Sequence, residues 1–327
     1  GPTRPWIIGL TVILPNGDIL EVTEDDPIPE GWPIPEWSEP DVKTAAGYAP
    51  ATRLLDVFIG QEGTLALIMD VTVRLIPKPK DVIGFITFFP ERDALLGFLN
   101  AARSAAKTEP DGAFSPRCLE YLDAHCLELA KERVEGVPEE ATCALFCEQE
   151  LRDLDEMDHL GAWWEHLETH TSLADYTVVA TDPPSQHTLH ALRHAIPAGI
   201  NEQVVRNGMP KLGTDLAVPD IALAEMMDAY EACPLPHVLF GHIGDNHLHL
   251  NMLPKSQTEY QQAKDYYAEL AQIAIRLGGT VSAEHGIGKI KRAALENMVG
   301  TPLIHAFRAL KKHLDPNLIL GRGTLFE

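Results

Sequence analysis

The chain has 327 residues, enough for one large domain or two ordinary ones, and its 45% hydrophobic and 23% charged content is that of a globular protein with an ample core. With 26 Lys and Arg against 48 Asp and Glu, its net charge of −22 repels phosphate backbones and anionic lipid surfaces and argues against nucleic acid as a partner. No apolar run approaches the ~20 residues that span a bilayer, and no secretory pattern opens the sequence, so the expected location is the cytoplasm.

Along the chain, residues 7–21 predict a hairpin: two β-branched runs joined at Pro15-Asn16-Gly17-Asp18. A sheet already under way at the start of the sequence leads us to expect a further element upstream. An acidic, proline-rich loop follows over 23–40. Residues 52–77 predict a helix, a Gly-rich turn and a strand from Leu67 to Ile76, with Pro77-Lys78-Pro79-Lys80 as a domain boundary. Beyond it, strands are expected at 81–89, 118–122, 142–148, 172–181, 214–218 and 237–252, the last interrupted at Gly244-Asp245. Helices are expected at 92–108, 123–134, 185–207, 221–232, 257–277, 290–298 and 303–314. Strands separated by helices imply an α+β layer, a sheet covered by helices on one face. Of the five cysteines, Cys143 and Cys147 fall on one face of a strand and are expected to be buried, reduced thiols.

Fourteen histidines are mostly scattered, but Gly241-His242-Ile243-Gly244-Asp245-Asn246-His247-Leu248-His249-Leu250-Asn251 concentrates three of them with an Asp on an apolar strand. Such groups are costly to bury unless paired or bound. His247 and His249, two apart, share a side of a regular strand, which suits either a divalent cation or a hydrogen-bonded polar strand beside a cleft. A second cluster, Ser282-Ala283-Glu284-His285-Gly286-Ile287-Gly288-Lys289, sets Glu284 and His285 between glycine turns: one side chain is fit to ligate, the other to act as a base. It is not a Walker loop, because Ala283 stands where that motif needs glycine. The turn Gly60-Gln61-Glu62-Gly63-Thr64-Leu65 presents backbone N–H groups to a ligand or is an ordinary turn. Arg193 is either a solvated helix residue or a carboxylate clamp.

Taken in order, residues 43–48 (KTAAGY), 58–65 (FIGQEGTL), Arg193, 241–251 (GHIGDNHLHLN) and 282–288 (SAEHGIG) resemble the FAD-linked oxidases of the vanillyl-alcohol oxidase superfamily. The nearest branch holds the D-lactate dehydrogenases, the glycolate oxidase flavin subunit and D-2-hydroxyglutarate dehydrogenase. The resemblance implies the second half of a two-part FAD-binding domain over residues 1–80, a cap with an antiparallel sheet covered by helices over 81–284, and C-terminal helices over 285–327 that return to the FAD domain. The family's first FAD subdomain would precede Gly1, so an N-terminally truncated chain or a split subunit is expected.

The same resemblance implies metal ligands at His242, His249 and Glu284 for Zn, Mn or Fe, with Gly244-Asp245 bulging the strand to turn His242 inward. It implies a catalytic base at His285, a substrate-carboxylate residue at Arg193 and a further substrate contact at Asn251. FAD-contacting positions fall at Lys43, Glu62, Gly63, Thr64 and His247. Lys211 stands a couple of positions from the family's lysine. His247 and Asn246 depart from the family's Asn and Gly, and Gly321-Arg322-Gly323 from its Asn-Pro-Gly. The implied activity is FAD-dependent, metal-assisted oxidation of a D-2-hydroxy acid to the 2-oxo acid. The alternatives are a subunit that binds FAD only beside a partner chain and, with less support, a flavin-free metallohydrolase. An electron-accepting iron–sulfur or membrane partner, holding the protein at the inner membrane, and a homo-oligomer both fit.

Overall fold

A computed structural model describes residues 2–131, 136–151 and 155–326. Two compact units make up the chain: residues 1–76, 215–229 and 268–327, and residues 77–214 and 230–267. This division draws the boundaries differently from 80 and 284, since residues 215–229 and 268–284 pack with the first unit.

The expected opening hairpin forms as β1 (Ile7–Ile13) and β2 (Ile19–Thr23), with Val12 opposite Leu20. Its turn closes through Asn16, whose Oδ1 accepts from the amide of Asp18 at 3.0 Å. After α1 (Leu54–Phe58), β3 (Leu67–Val73) pairs with the other edge of β1, giving the order β2-β1-β3.

The chain next runs through β4 (Asp81–Phe89), α2 (Arg92–Thr108), β5 (Pro116–Leu122), α3 (Ala124–Lys131), β6 (Cys143–Leu151), α4 (Glu156–His170), β7 (Val178–Ala180), α5 (Pro183–Asn207) and the short β8 (Leu212–Gly213). Then follow β9 (Leu216–Ala217), α6 (Leu223–Glu231), β10 (His237–His242), β11 (His247–Met252), α7 (Gln257–Arg276), α8 (Arg292–Val299) and α9 (Thr301–Leu314). The helix expected at 123–134 is α3; residues 132–134 lie outside the described residues. The strand expected at 172–181 shrinks to the three residues of β7, behind a 3-10 turn at Ala174–Tyr176. The α4 helix was not foreseen.

In the second unit an antiparallel sheet has the order β7-β4-β6-β5-β10-β11-β8. The expectation of helices on one face is corrected, because β4 is buried without a break from Ile83 to Phe89, the pattern of a strand covered on both sides. Ile86 and Phe88 pack with Cys126 and Leu127 of α3 and Ile196 and Ile200 of α5. Phe85 points the other way and stacks on Trp163 of α4 at 4.2 Å, beside Phe98 of α2. Each such aromatic contributes about 1.5–3 kcal/mol by leaving water. Both Cys143 and Cys147 are buried and all five thiols are free; burial pushes the Cys143 thiol up to about 12 and Cys147 well above its usual value. Among the described residues no helix is long and apolar enough to cross a membrane.

Candidate functional site

The three clustered histidines sit on a hairpin, which corrects the expectation of one interrupted strand. β10 ends at His242, a 3-10 turn covers Ile243–Asp245, Asn246 takes φ +52, and β11 begins at His247. That left-handed position favours glycine, and Asn tolerates it better than most residues. His242 lies directly opposite His247, and Phe240 opposite His249. Cross-strand partners share a face, as do residues two apart, so all three imidazoles stand together and no bulge is needed. Ring centroids are 5.5 Å (His242–His247), 5.7 Å (His242–His249) and 4.3 Å (His247–His249) apart. Gly241 makes room for this group: with φ +136, a Cβ there would lie 2.8 Å from the His249 ring.

Each outer imidazole is oriented through Nδ1. His242 Nδ1 lies 2.8 Å from Glu120 Oε1, and His249 Nδ1 lies 2.9 Å from the carbonyl oxygen of Thr214. A carbonyl and an ionised carboxylate only accept, so Nδ1 carries the hydrogen in both rings and Nε2 carries the lone pair. This is how metal-ligating histidines are usually held, and the two donors suit a borderline divalent cation. Glu120, only 6% exposed, also accepts from Arg193 Nη2 at 2.9 Å. Burial raises its carboxyl, but the hydrogen bond from His242 Nδ1 and the electrostatic pull of the neighbouring side chains, the Arg193 guanidinium among them, outweigh this and hold it below its ordinary value. Arg193 sits one turn before Pro197, which cannot donate to the Arg193 carbonyl. Just before β8, Lys211 Nζ donates to Asn251 Oδ1 at 2.6 Å, and burial pushes that ammonium below its usual range. Arg103 bonds the carbonyl of Ile243 and Oδ1 of Asn246, fixing the turn between the histidines.

In the first unit, the loop at 282–288 is built around Asp215, which is fully buried. Its carboxylate accepts from Ser282 Oγ at 2.6 Å, from the amides of Glu284 and His285 at 3.0 Å each, and from Lys291 Nζ at 2.6 Å. The His285 ring is left more than half exposed, with Nδ1 3.9 Å from Asp215 Oδ2. Glu284 pairs with Lys43 Nζ. Glu62 accepts from the amides of Ile287 and Gly288 at 2.8 and 2.7 Å. At Gly286 (φ +72) a Cβ would lie 2.8 Å from Glu62 Oε1, so the glycine is required there. Thr64 is buried, its hydroxyl 2.6 Å from both Tyr48 Oη and the Gln61 carbonyl, whereas Gly63 opens onto free space. Lys43 and Glu284 also line a cavity of 630 Å³ with Arg4, Thr44, Gly60 and Ala283. Its lining sets two cations, Arg4 and Lys43, against two acids, Glu39 and Glu284.

Sequence reasoning missed Glu120, Arg103, Asp215 and Lys291. One signal was available for the acids: a carboxylate inside an apolar run (Cys118-Leu119-Glu120-Tyr121-Leu122, Asp215-Leu216-Ala217-Val218) is costly to bury without a cation or several N–H donors.

Residues 92–325 match the family model for FAD linked oxidases, C-terminal domain. The whole chain is 29% identical to glycolate oxidase subunit GlcD of Bacillus subtilis, covering 64% of that protein. It is also 29% identical to D-2-hydroxyglutarate dehydrogenase of Xanthomonas citri pv. viticola, covering 65%. The chain therefore spans just under two thirds of the length of these curated relatives. Among solved structures, p-cresol methylhydroxylase with substrate bound is similar with a TM-score of 0.62 at 13% identity, over 99% of this chain and 66% of that one. An isoeugenol complex of 4-ethylphenol oxidase from Gulosibacter chungangensis has a TM-score of 0.61 at 13% identity, with the same coverage. The chain belongs to the FAD linked oxidase family and carries its C-terminal domain.

Proposed function

We propose that this chain serves the FAD-dependent oxidation of a D-2-hydroxy acid of the lactate or glycolate type to the 2-oxo acid. The observation that carries this reading is the histidine face of the second unit, where two imidazoles with Nδ1 committed to oxygen are flanked by Arg193 and Lys211. Cations set into a chain of charge −22 suit a small anion. The names of the relatives point to hydroxy acids as the class.

Arg193 holds the substrate carboxylate through a charge-assisted pair, a contact typically worth ~1.5–3 kcal/mol. Lys211 and Asn251, hydrogen-bonded to each other, bind a second polar group of the substrate. His285, its backbone tethered to Asp215 and its ring exposed, takes the hydroxyl proton. His242 and His249, with Glu284 as the third ligand implied by the family, would hold a divalent cation that lowers the pKa of that hydroxyl. Lys43, Glu62, Gly63, Thr64 and His247 would hold the flavin, which would supply the hydride acceptor.

The test is steady-state oxidation of D-lactate, glycolate and D-2-hydroxyglutarate with a dye acceptor and added FAD. His285→Ala should lower kcat by ~100-fold or more with cation binding intact, and Arg193→Ala should act chiefly on KM. Unchanged turnover in His285→Ala discards the assigned base.

A second reading, that the chain acts only beside a further polypeptide segment completing the flavin site, is favoured by β3. All seven of its residues are exposed, with Leu67, Ile68, Met69, Val71 and Val73 each above 40%. An apolar edge strand of that length normally has a cover. The chain purified without flavin colour, and gaining it only with a partner, supports this reading; a yellow chain on its own refutes it. An electron-accepting partner would then draw on the same assembly.

A further inference from the structure

We propose a second divalent-cation site in the second unit, formed by Asp123, His125 and His237 and distinct from the histidine hairpin face. A nitrogen of each ring and a carboxylate oxygen of Asp123 all lie within 4.8 Å of one another. Ligand atoms on a tetrahedral zinc are about 3.3 Å apart at its usual bond lengths, so no pair of these groups needs to close by more than about 1.5 Å. The ring that must move is the one free to do so: His125 lies in the first turn of α3 with its side chain 61% exposed.

The other two ligands are preset. The Asp123 amide donates to the Leu239 carbonyl at 3.0 Å, and its Oδ2 accepts from the Leu239 amide at 2.8 Å, locking the end of β5 onto β10. Oδ1 accepts from the Cys126 amide at 2.8 Å. The carboxylate is thus held rigidly, with Oδ2 facing His125 at 3.4 Å and lone pairs to spare. Two residues before Leu239 on β10, His237 has Nδ1 2.8 Å from the Leu235 carbonyl, so Nε2 carries the lone pair. That is the orientation a metal-bound imidazole needs. The two rings stand 5.2 Å apart at an interplanar angle of 72°.

Access and an open position come from two cavities, of 490 and 450 Å³, both lined by His125 and His237. Three protein ligands beside open space describe a site that keeps a water or an exchangeable ligand in its fourth position. Two imidazoles and one carboxylate select zinc over calcium or magnesium.

The test uses the full chain, stripped with chelator, and titrated with Zn²⁺ and then Co²⁺. Two classes of site are expected. His125→Ala should remove one of them while leaving the other, and His242→Ala the reverse. The affinity lost with His125 should exceed the ~10–100-fold typical of losing an outer-sphere partner. His125 is exposed, so this variant keeps the fold, and unfolding curves check that. His237→Ala should give the same loss, together with loss of the tetrahedral Co²⁺ absorption belonging to that class. Equal stoichiometry and affinity in wild type, His125→Ala and His237→Ala overturns the proposal, as does zinc binding at this site only in the millimolar range.

Discussion

Two buried acids, one in each unit, do opposite work. Glu120 gathers side chains: it fixes the hydrogen on His242 and holds Arg193. Asp215 gathers backbone as well as side chains: two amides, a serine hydroxyl and a lysine converge on it, and the loop bearing Glu284 and His285 takes its shape from them. The first sets the chemistry of groups whose positions the sheet already determines. The second determines position in a loop that no sheet supports. Removing one should therefore alter binding, and removing the other should alter folding.

The largest effect is expected from Asp215→Ala. It leaves Lys291 without its carboxylate and two amides without an acceptor, a change that costs about 3–5 kcal/mol when a buried pair is broken on one side. Urea denaturation should show the unfolding free energy falling by that amount, with the midpoint moving to lower urea. An unchanged midpoint would mean that the loop is held by something other than this acid. Glu120→Gln should reverse the pattern. Stability should change by less than ~1 kcal/mol, because Gln keeps the volume and the strand register. The amide can, however, offer N–H to His242 Nδ1 and so move the ring hydrogen to Nε2. Cation affinity at the hairpin, measured with the second site removed by His125→Ala, should drop by ~10–100-fold. Equal losses of stability in the two variants would erase the contrast.

How legible these roles were follows from the distances involved along the chain. The regular elements carry their own signal, so β4 and α2 fall where a continuous apolar run and helical spacing put them, residue for residue. The α4 helix was missed because its buried positions are His159, Trp163 and Leu167. The spacing of four is helical, but a histidine opens the stripe and polar residues fill the rest. The hairpin was read as one strand because only a short turn separates two apolar runs, and the left-handed Asn246 gives no glycine signal. Of the candidate residues, His242, His249, Glu284 and His285 stand in local motifs that the resemblance could carry. Their partners do not: Glu120 lies 122 residues from His242, and Asp215 lies 69 from Glu284. No local pattern encodes a contact made only after the sheet has closed. A charged residue in an apolar run announces that some partner exists without saying which.

A smaller effect, and one with a pH signature, belongs to Asp315 in the first unit. Burial pushes its carboxyl up, but hydrogen bonds from Lys311 and the amides of Leu320 and Ile319, with the Lys311 charge, hold it below the ordinary 3.8. The folded state thus binds its proton less readily than the unfolded chain. The stability it contributes is complete above the unfolded value and is lost as pH falls through the lower, folded one. Asp315→Asn should flatten the acid limb of the stability curve while costing stability at neutral pH. A limb that stays as steep assigns the acid sensitivity to other carboxylates. Lys311, also bonded to the carbonyls of Thr64 and Leu320, is the side chain left unsatisfied.

The smallest effect should come from the place that looks most abnormal. Val71 lies in β3 with 49% of its surface exposed among other exposed apolar residues. Val71→Thr keeps β-branching and strand preference and replaces one exposed methyl by a hydroxyl. If β3 is a surface strand of the folded chain, the change should alter stability by no more than ~0.5 kcal/mol, the usual range for surface positions. Binding of an apolar fluorescent dye and self-association should both weaken, since both use the apolar strip itself. A loss of 1–3 kcal/mol would place Val71 in a packed core, and the second reading of the function would lose the observation that favours it. A stability change near zero, with less dye bound, leaves an apolar face whose cover comes from outside these 327 residues.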